Sequence, residues 1–110
     1  MNKQLLLLIS LQELDILKKD KKNEEEVGFE LEDLKEIEEA RVKIVSELPD
    51  HLYRKYTRLT KRYGNAVVPV VNNICQGCYL VFPTQMISPE QKNETVTTCP
   101  SCGRILYWAD

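Results

Sequence analysis

Apolar residues recur with a helical period through the first part of the chain. Residues 3–22 contain neither glycine nor proline and are rich in Leu, Gln, Glu and Lys, which predicts a helix. The first turns of this helix are apolar on nearly every side. We therefore expect cover on more than one side, from a second helix together with either the C-terminal region or a second subunit.

A second helix is predicted at residues 29–47, after a polar turn at 23–28. Its apolar positions recur at spacings of three and four, as in a short coiled-coil seam. They are Leu34, Ile37, Ile44 and Leu48. Arg41 interrupts this seam, and Pro49 is expected to kink the helix or restart it.

A third helix is predicted at residues 50–63, ended by Gly64. Its narrow apolar face consists of Leu52, Tyr56, Leu59 and Tyr63. Its opposite side carries five basic residues, which are the candidate partner-binding residues: Arg54, Lys55, Arg58, Lys61 and Arg62. Because the first helix is too short to cover all of 48–63, we expect the C-terminal region or a second subunit to cover the apolar face.

The period changes after residue 65. Residues 66–71 are β-branched and contain Pro69, which predicts an edge strand. Further strands are predicted at 79–82, 95–98 and 105–108, with a loop at 83–94. The fold class is therefore α+β. It consists of an N-terminal helical hairpin or coiled-coil arm at 1–64 and a small β domain at 65–110.

All four cysteines lie in two Cys-x-x-Cys units that are typical of a zinc ribbon. The ligands are Cys75, Cys78, Cys99 and Cys102. Two intervening residues let one tight turn direct both sulfurs at a point about 2.3 Å away, and two such turns complete a tetrahedron. Gly77 and Gly103 are expected to permit the backbone positions that these tight turns require. The C-terminal domain is predicted to be a four-cysteine β zinc ribbon with one structural Zn²⁺.

Other chemistry of the cysteines is less favoured. A reducing cytoplasm argues against disulfides, and the absence of a βαβ pattern argues against thioredoxin-type redox chemistry. A rubredoxin-like iron site for electron transfer remains an alternative, since four thiolates also hold iron. A site with four cysteine ligands is closed to water, and His51 is placed as a surface or capping residue, so no enzyme activity is expected.

The charge distribution bears on partners. The net charge of −2 provides no overall field toward nucleic acid or a membrane. Acids dominate residues 24–39, whereas residues 51–63 carry the five bases and no acid. Such a dipolar arm can support a homodimer through the helices or two partner surfaces. The apolar run near the N-terminus is too short for a membrane span and lacks a cleavage site, which favours a cytoplasmic protein.

Several segments resemble a bacterial family that joins a four-cysteine zinc ribbon to an N-terminal helical hairpin. The resemblance is carried by residues 64–78, 82–85 and 99–107, and more weakly by 8–15 and the Tyr56-x-x-Leu59 segment. It implies an adaptor that binds the alternative, nitrogen-type sigma factor, with links to flagellar or type III secretion and a proposed RNA-binding role. Members of the family have a far longer hairpin. A partner surface on the distal arm would therefore be altered or missing here.

The leading hypothesis is thus a non-enzymatic adaptor that regulates transcription or secretion by binding a protein partner. The alternative is an RNA-binding ribbon protein that uses the basic face of the third helix, near Tyr53, to contact phosphates and bases. The ribbon itself carries only Lys92 and Arg104 as basic residues, which favours the protein partner.

Overall fold

The computed structural model describes residues 1–23, 31–83 and 92–109. It contains three helices, α1 (Lys3–Asn23), α2 (Leu31–Glu47) and α3 (Asp50–Tyr63). The three predicted helices are confirmed. Of the predicted turn at 23–28, Asn23 belongs to α1 and the remainder lies outside the described residues.

Helices α1 and α2 form an antiparallel hairpin. Lys18 of α1 pairs with Glu38 of α2, and Arg41 Nε donates to Asp15 Oδ1 at 2.8 Å. The later residue of α1 thus pairs with the earlier residue of α2, which shows that the two helices are antiparallel. Arg41, the charge that interrupts the apolar seam, therefore has a specific partner on the facing helix.

Helix α3 folds back at Pro49 rather than extending α2. A continuous rod would place Tyr56 about 22 Å beyond Arg41 along the axis, at about 1.5 Å per residue. Both side chains instead bond to one carboxylate, since the Tyr56 hydroxyl donates to Asp15 Oδ2 at 2.7 Å. Pro49 thus ends the hairpin arm and turns the chain. Gly64, with φ of +85°, ends α3 as predicted.

The bond between Tyr56 and Asp15 yields a prediction about pH. Burial, followed by the hydrogen bond to Asp15, raises the pKa of Tyr56 above its ordinary value of 10.0. A pKa that is higher in the folded state stabilises the fold fully below pH 10, and this stabilisation is lost as the pH rises further. Tyr56→Phe should lower the free energy of unfolding by about 1 kcal/mol at pH 7, and the gap to the wild type should narrow above pH 10.

Urea unfolding at pH 7 and pH 11 measures this gap. Tyr79→Phe serves as the control, because the Tyr79 ring is exposed. A gap of the same size at both pH values would contradict the prediction.

Four short strands form one sheet in the order β2-β1-β4-β3. The strands are β1 (Val67–Val71), β2 (Ile74–Cys75), β3 (Thr97–Thr98) and β4 (Ile105–Trp108). The two central strands, β1 and β4, are parallel, and each has an antiparallel partner at its outer edge.

Two strand predictions are wrong. Residues 66–71 do not form an edge strand, because β1 is central. Pro69 has no N–H to donate to a neighbouring strand. Its oxygen faces the β2 side, where it accepts from Gln76 N at 3.0 Å, and its nitrogen faces the same side. Because β2 has already ended at Cys75, the missing N–H removes no hydrogen bond between the two strands. Residues 79–82 form no strand: they follow a turn at 76–78, and Val81 makes only an isolated bridge with Ile74. The predicted strand at 95–98 is confirmed only at Thr97–Thr98.

The sheet separates two apolar clusters. One face packs against the helices, so that Val67 and Ile105 join the buried Leu5, Leu8 and Leu11 of α1. Leu52, Tyr56 and Leu59 of α3 belong to the same cluster. The apolar face of α3 is therefore covered within the chain, by α1 and the sheet together. The prediction of cover from the C-terminal region is confirmed, and α1 takes part despite its length.

Polar contacts join the N-terminal segment to the ribbon domain at two points. Gln12 accepts from the backbone N–H groups of Ala66 and Val67, both at 2.8 Å, and donates to the Val67 oxygen at 2.7 Å. At the start of α1, Asn2 Oδ1 accepts from Leu5 N, and Asn2 N donates to the Asn93 oxygen. These bonds fix the orientation of α1 over the ribbon.

Among the described residues, no helix combines the length and apolar character needed to cross a membrane. The boundary between residues 1–64 and 65–110, and a homodimer through the helices, both stay predictions.

Candidate metal centre

The two Cys-x-x-Cys turns have the same backbone structure. In the first, Tyr79 N donates to the Cys75 oxygen at 2.8 Å and Cys75 N donates to the Leu80 oxygen at 2.9 Å. In the second, Gly103 N donates to the Cys99 oxygen and Cys99 N to the Arg104 oxygen, both at 2.9 Å. We call these turns the first and the second knuckle, residues 75–80 and 99–104.

Each knuckle needs one residue in the left-handed region, directly after its second cysteine. In the second knuckle this residue is Gly103, with φ of +78°, as the sequence suggested. In the first knuckle it is Tyr79, with φ of +64°, and not Gly77. The interpretation of Gly77 as a conformational glycine is therefore wrong. A side chain at Gly77 would instead require Arg104 to move, since an added Cβ would lie 2.9 Å from Arg104 Cδ.

The parallel pairing of β1 and β4 brings the knuckles together. The first knuckle follows β1 through the β1–β2 hairpin, and the second directly precedes β4. Val67 lies beside Ile105 and Val70 beside Trp108. The face of the sheet away from the helices packs against the knuckles, with Val70, Leu106 and Trp108 in the same cluster as Cys75 and Cys99.

The four sulfur atoms are placed for a tetrahedral ion. Cys75 and Cys102 have their sulfurs 4.0 Å apart, those of Cys78 and Cys99 are 3.7 Å apart, and all four lie within 4.8 Å of one another. A tetrahedron with metal–sulfur bonds of about 2.3 Å has edges of about 3.8 Å. The thiol groups therefore fit one Zn²⁺ with small adjustments, and all four positions of the ion would be filled by protein.

The thiols differ in acidity. Burial would raise the pKa of Cys78, but hydrogen bonds from the backbone N–H of Leu80 and from the neighbouring thiols lower it to about 6. Burial raises the pKa of Cys75, and raises that of Cys99 to about 12. Of these three thiols Cys78 thus loses its proton most readily in the metal-free protein. A bound metal requires all four thiolates.

The five predicted partner-binding residues lie on α3, outside the cluster of sulfur ligands. Arg54, Arg58, Lys61 and Arg62 are exposed and Lys55 is half-buried. The structure thus separates a structural metal centre from a basic helix face. Sequence reasoning missed the contact of Arg104 with Tyr63, which links the second knuckle to the end of α3. The sequence signal that could have pointed to Arg104 was its position directly after Cys102-Gly103, in a ribbon with only one other basic residue.

The comparisons with known proteins agree with this geometry. Residues 74–106 match the family model of the C4-type zinc ribbon domain. This stretch contains all four clustered cysteines, so the predictions of a zinc ribbon with one structural zinc and of an α+β fold are confirmed. A search of curated proteins finds no significant match.

Two solved structures have a similar fold. CT398 from Chlamydia trachomatis is 28% identical with a TM-score of 0.58, over 70% of this chain. The HP0958 protein from Helicobacter pylori is similar over 86% of the chain with a TM-score of 0.61, and at 23% identity this likeness shows the fold alone. The chain spans about a third of each protein, 33% and 38% of their lengths.

Proposed function

We propose that the chain is a non-enzymatic adaptor that binds an acidic protein surface through the basic face of α3, held rigid by the zinc ribbon. The observation that carries this proposal is the division of α3. Its apolar side is buried against α1 and the sheet, while its basic side is left exposed. The helix therefore has one side committed to the fold and one side open to a partner.

The basic face has little internal compensation. Within the described parts of the chain, none of its five residues forms an ion pair. Burial, and next the positive charge of Arg58, lower the pKa of Lys55. An acidic partner reduces the repulsion between these crowded positive charges. The same charges raise the rate of association with an acidic partner.

The metal centre supports a structural role. An ion held by four thiolates has no free position for water or substrate, so its contribution is to stabilise the fold. The resemblance to the zinc ribbon family suggests the partner class, which is the nitrogen-type sigma factor or other bacterial transcription or secretion machinery in the cytoplasm.

Charge reversal of α3 tests the proposal. The probe is purified nitrogen-type sigma factor, titrated against zinc-loaded protein by light scattering or biolayer interferometry. Reversing Arg54, Arg58 and Arg62 to Glu should weaken binding about tenfold or more, since three exposed pairs of about 0.5 kcal/mol each amount to that factor. Affinity should also fall with added salt.

The matched control reverses three exposed cations elsewhere, Lys3, Lys35 and Lys43, and should bind as the wild type does. Equal affinity of the two triple variants would contradict the proposal. A parallel titration with single-stranded RNA decides the alternative. If RNA binds more tightly than the sigma factor and loses affinity only in the α3 variant, the face is a nucleic-acid surface instead.

A further inference from the structure

Arg104 is a buried cation without an anion in the described structure. The residue is only 9% exposed, and its Nε has no hydrogen-bond partner. None of the ion pairs among the described residues involves it. Removing an arginine from water without compensation is unfavourable. Some other negative charge or polarisable group must therefore stabilise it.

The side chain of Arg104 bridges the second knuckle, the first knuckle and α3. It begins two residues after Cys102 and crosses to the first knuckle, where its Cζ lies 3.0 Å from the position of a Cβ on Gly77. Gly77 stands between the ligands Cys75 and Cys78. On the other side the guanidinium lies over the ring of Tyr63, the last residue of α3, with Cζ 4.0 Å from the ring centroid.

A loaded metal centre would carry a negative charge. Four thiolates around one divalent ion carry a net charge of −2. The only other basic residue of the ribbon, Lys92, is half-exposed. Arg104 is thus the one buried cation of the described ribbon, and its guanidinium lies directly against the first knuckle.

We propose that Arg104 is the counter-charge of the loaded metal centre and that the Tyr63 ring holds it in position. A guanidinium stacked on an aromatic ring keeps its charge and is more weakly hydrated than an ammonium group, so it suits this buried place. The affinity for zinc is therefore set in part by a residue of α3, outside the ribbon. This proposal is independent of any partner of the basic face.

Zinc affinity, measured by competition with a chromophoric chelator at fixed pH and salt, tests the charge of Arg104. Arg104→Met keeps an apolar stem but loses the charge, and should weaken zinc binding about tenfold, as is usual for residues that support metal ligands. Arg104→Lys keeps the charge and should recover most of this loss. Lys43→Met, at an exposed cation of α2, is the matched control and should bind as the wild type. Equal losses in Arg104→Met and Arg104→Lys would show a packing role only and overturn the proposal.

Tyr63 provides a second test that leaves the knuckles untouched. Tyr63→Phe keeps the ring and should bind zinc as the wild type does, whereas Tyr63→Leu should weaken binding severalfold. In the Arg104→Met background Tyr63→Leu should add no further loss, because the two residues act as one unit. Wild-type affinity in Tyr63→Leu, or losses that add in the double variant, would overturn the proposal.

Discussion

Removal of the metal with a strong chelator will unfold the ribbon. The sheet is too small to persist alone, because β2 and β3 have two residues each and the cluster around the knuckles includes Cys75 and Cys99 themselves. A structural zinc contributes about 10–16 kcal/mol of binding free energy in small domains. This contribution is as large as the whole free energy of unfolding of an ordinary domain, which is about 5–15 kcal/mol, or larger.

Trp108 reports this unfolding directly. It is the single tryptophan of the chain, 6% exposed, and it packs in the cluster beside the knuckles. Its emission should shift to the red when the chelator is added and return when Zn²⁺ is restored. Cys99→Ser should give the shifted spectrum without chelator.

Elemental analysis of protein purified without added metal completes the experiment. It should find one zinc per chain, and a stoichiometric amount of iron with a red colour would establish the electron-carrier alternative instead. An unshifted Trp108 spectrum in protein shown to be metal-free would contradict the structural role of the ion.

Gln12→Ala should lower the free energy of unfolding of the zinc-loaded protein by about 3 kcal/mol. The Gln12 amide satisfies three backbone groups where β1 begins, the N–H groups of Ala66 and Val67 and the oxygen of Val67. Ala66 and Val67 are buried, at 0% and 2% exposure, so water cannot replace these bonds without moving the strand. Each buried group left without a partner costs about 1–3 kcal/mol.

Two variants make this prediction specific. Gln12→Glu keeps the acceptor for both N–H groups but cannot donate to the Val67 oxygen, and should be intermediate. Glu13→Ala, at the exposed neighbouring position of α1, should change the stability by no more than about 0.5 kcal/mol. Denaturant unfolding under saturating zinc measures all three. A Gln12→Ala value as small as that of Glu13→Ala would show that the link between α1 and the sheet is dispensable.

Local patterns were enough to predict the helices and the metal ligands. Helix α3 has its apolar side chains at helical spacing and a glycine at the position that requires φ above zero, and both signals lie within a few residues. The cysteine pairs are similar, because the spacing within each knuckle is a local property of a tight turn. These features needed no knowledge of distant contacts.

The errors arose where distant residues decide the structure. Nothing near residues 66–71 shows that β4 will pair with them in parallel, which makes β1 central. Gly77 appeared to be a turn glycine, although the constraint on it comes from Arg104, far along the chain. The covering of α3 by α1 depends on the turn at Pro49, whose direction the period of the helices does not specify. Asp15 and Gln12, polar residues that lie among the apolar positions of α1, were the available signals for these contacts.

The parallel pairing of β1 with β4 has a consequence for biosynthesis. During translation the three helices and the first knuckle emerge well before residues 105–108, and until β4 arrives neither the sheet nor the second pair of thiols can close the site. Until then Leu5, Leu8 and Leu11 of α1 lack the cover that Ile105 gives them in the finished fold. Binding of the metal by all four thiols must therefore follow the synthesis of the second knuckle, and in a cell short of zinc an unclosed ribbon would leave part of the apolar helix surface exposed to chaperones and proteases.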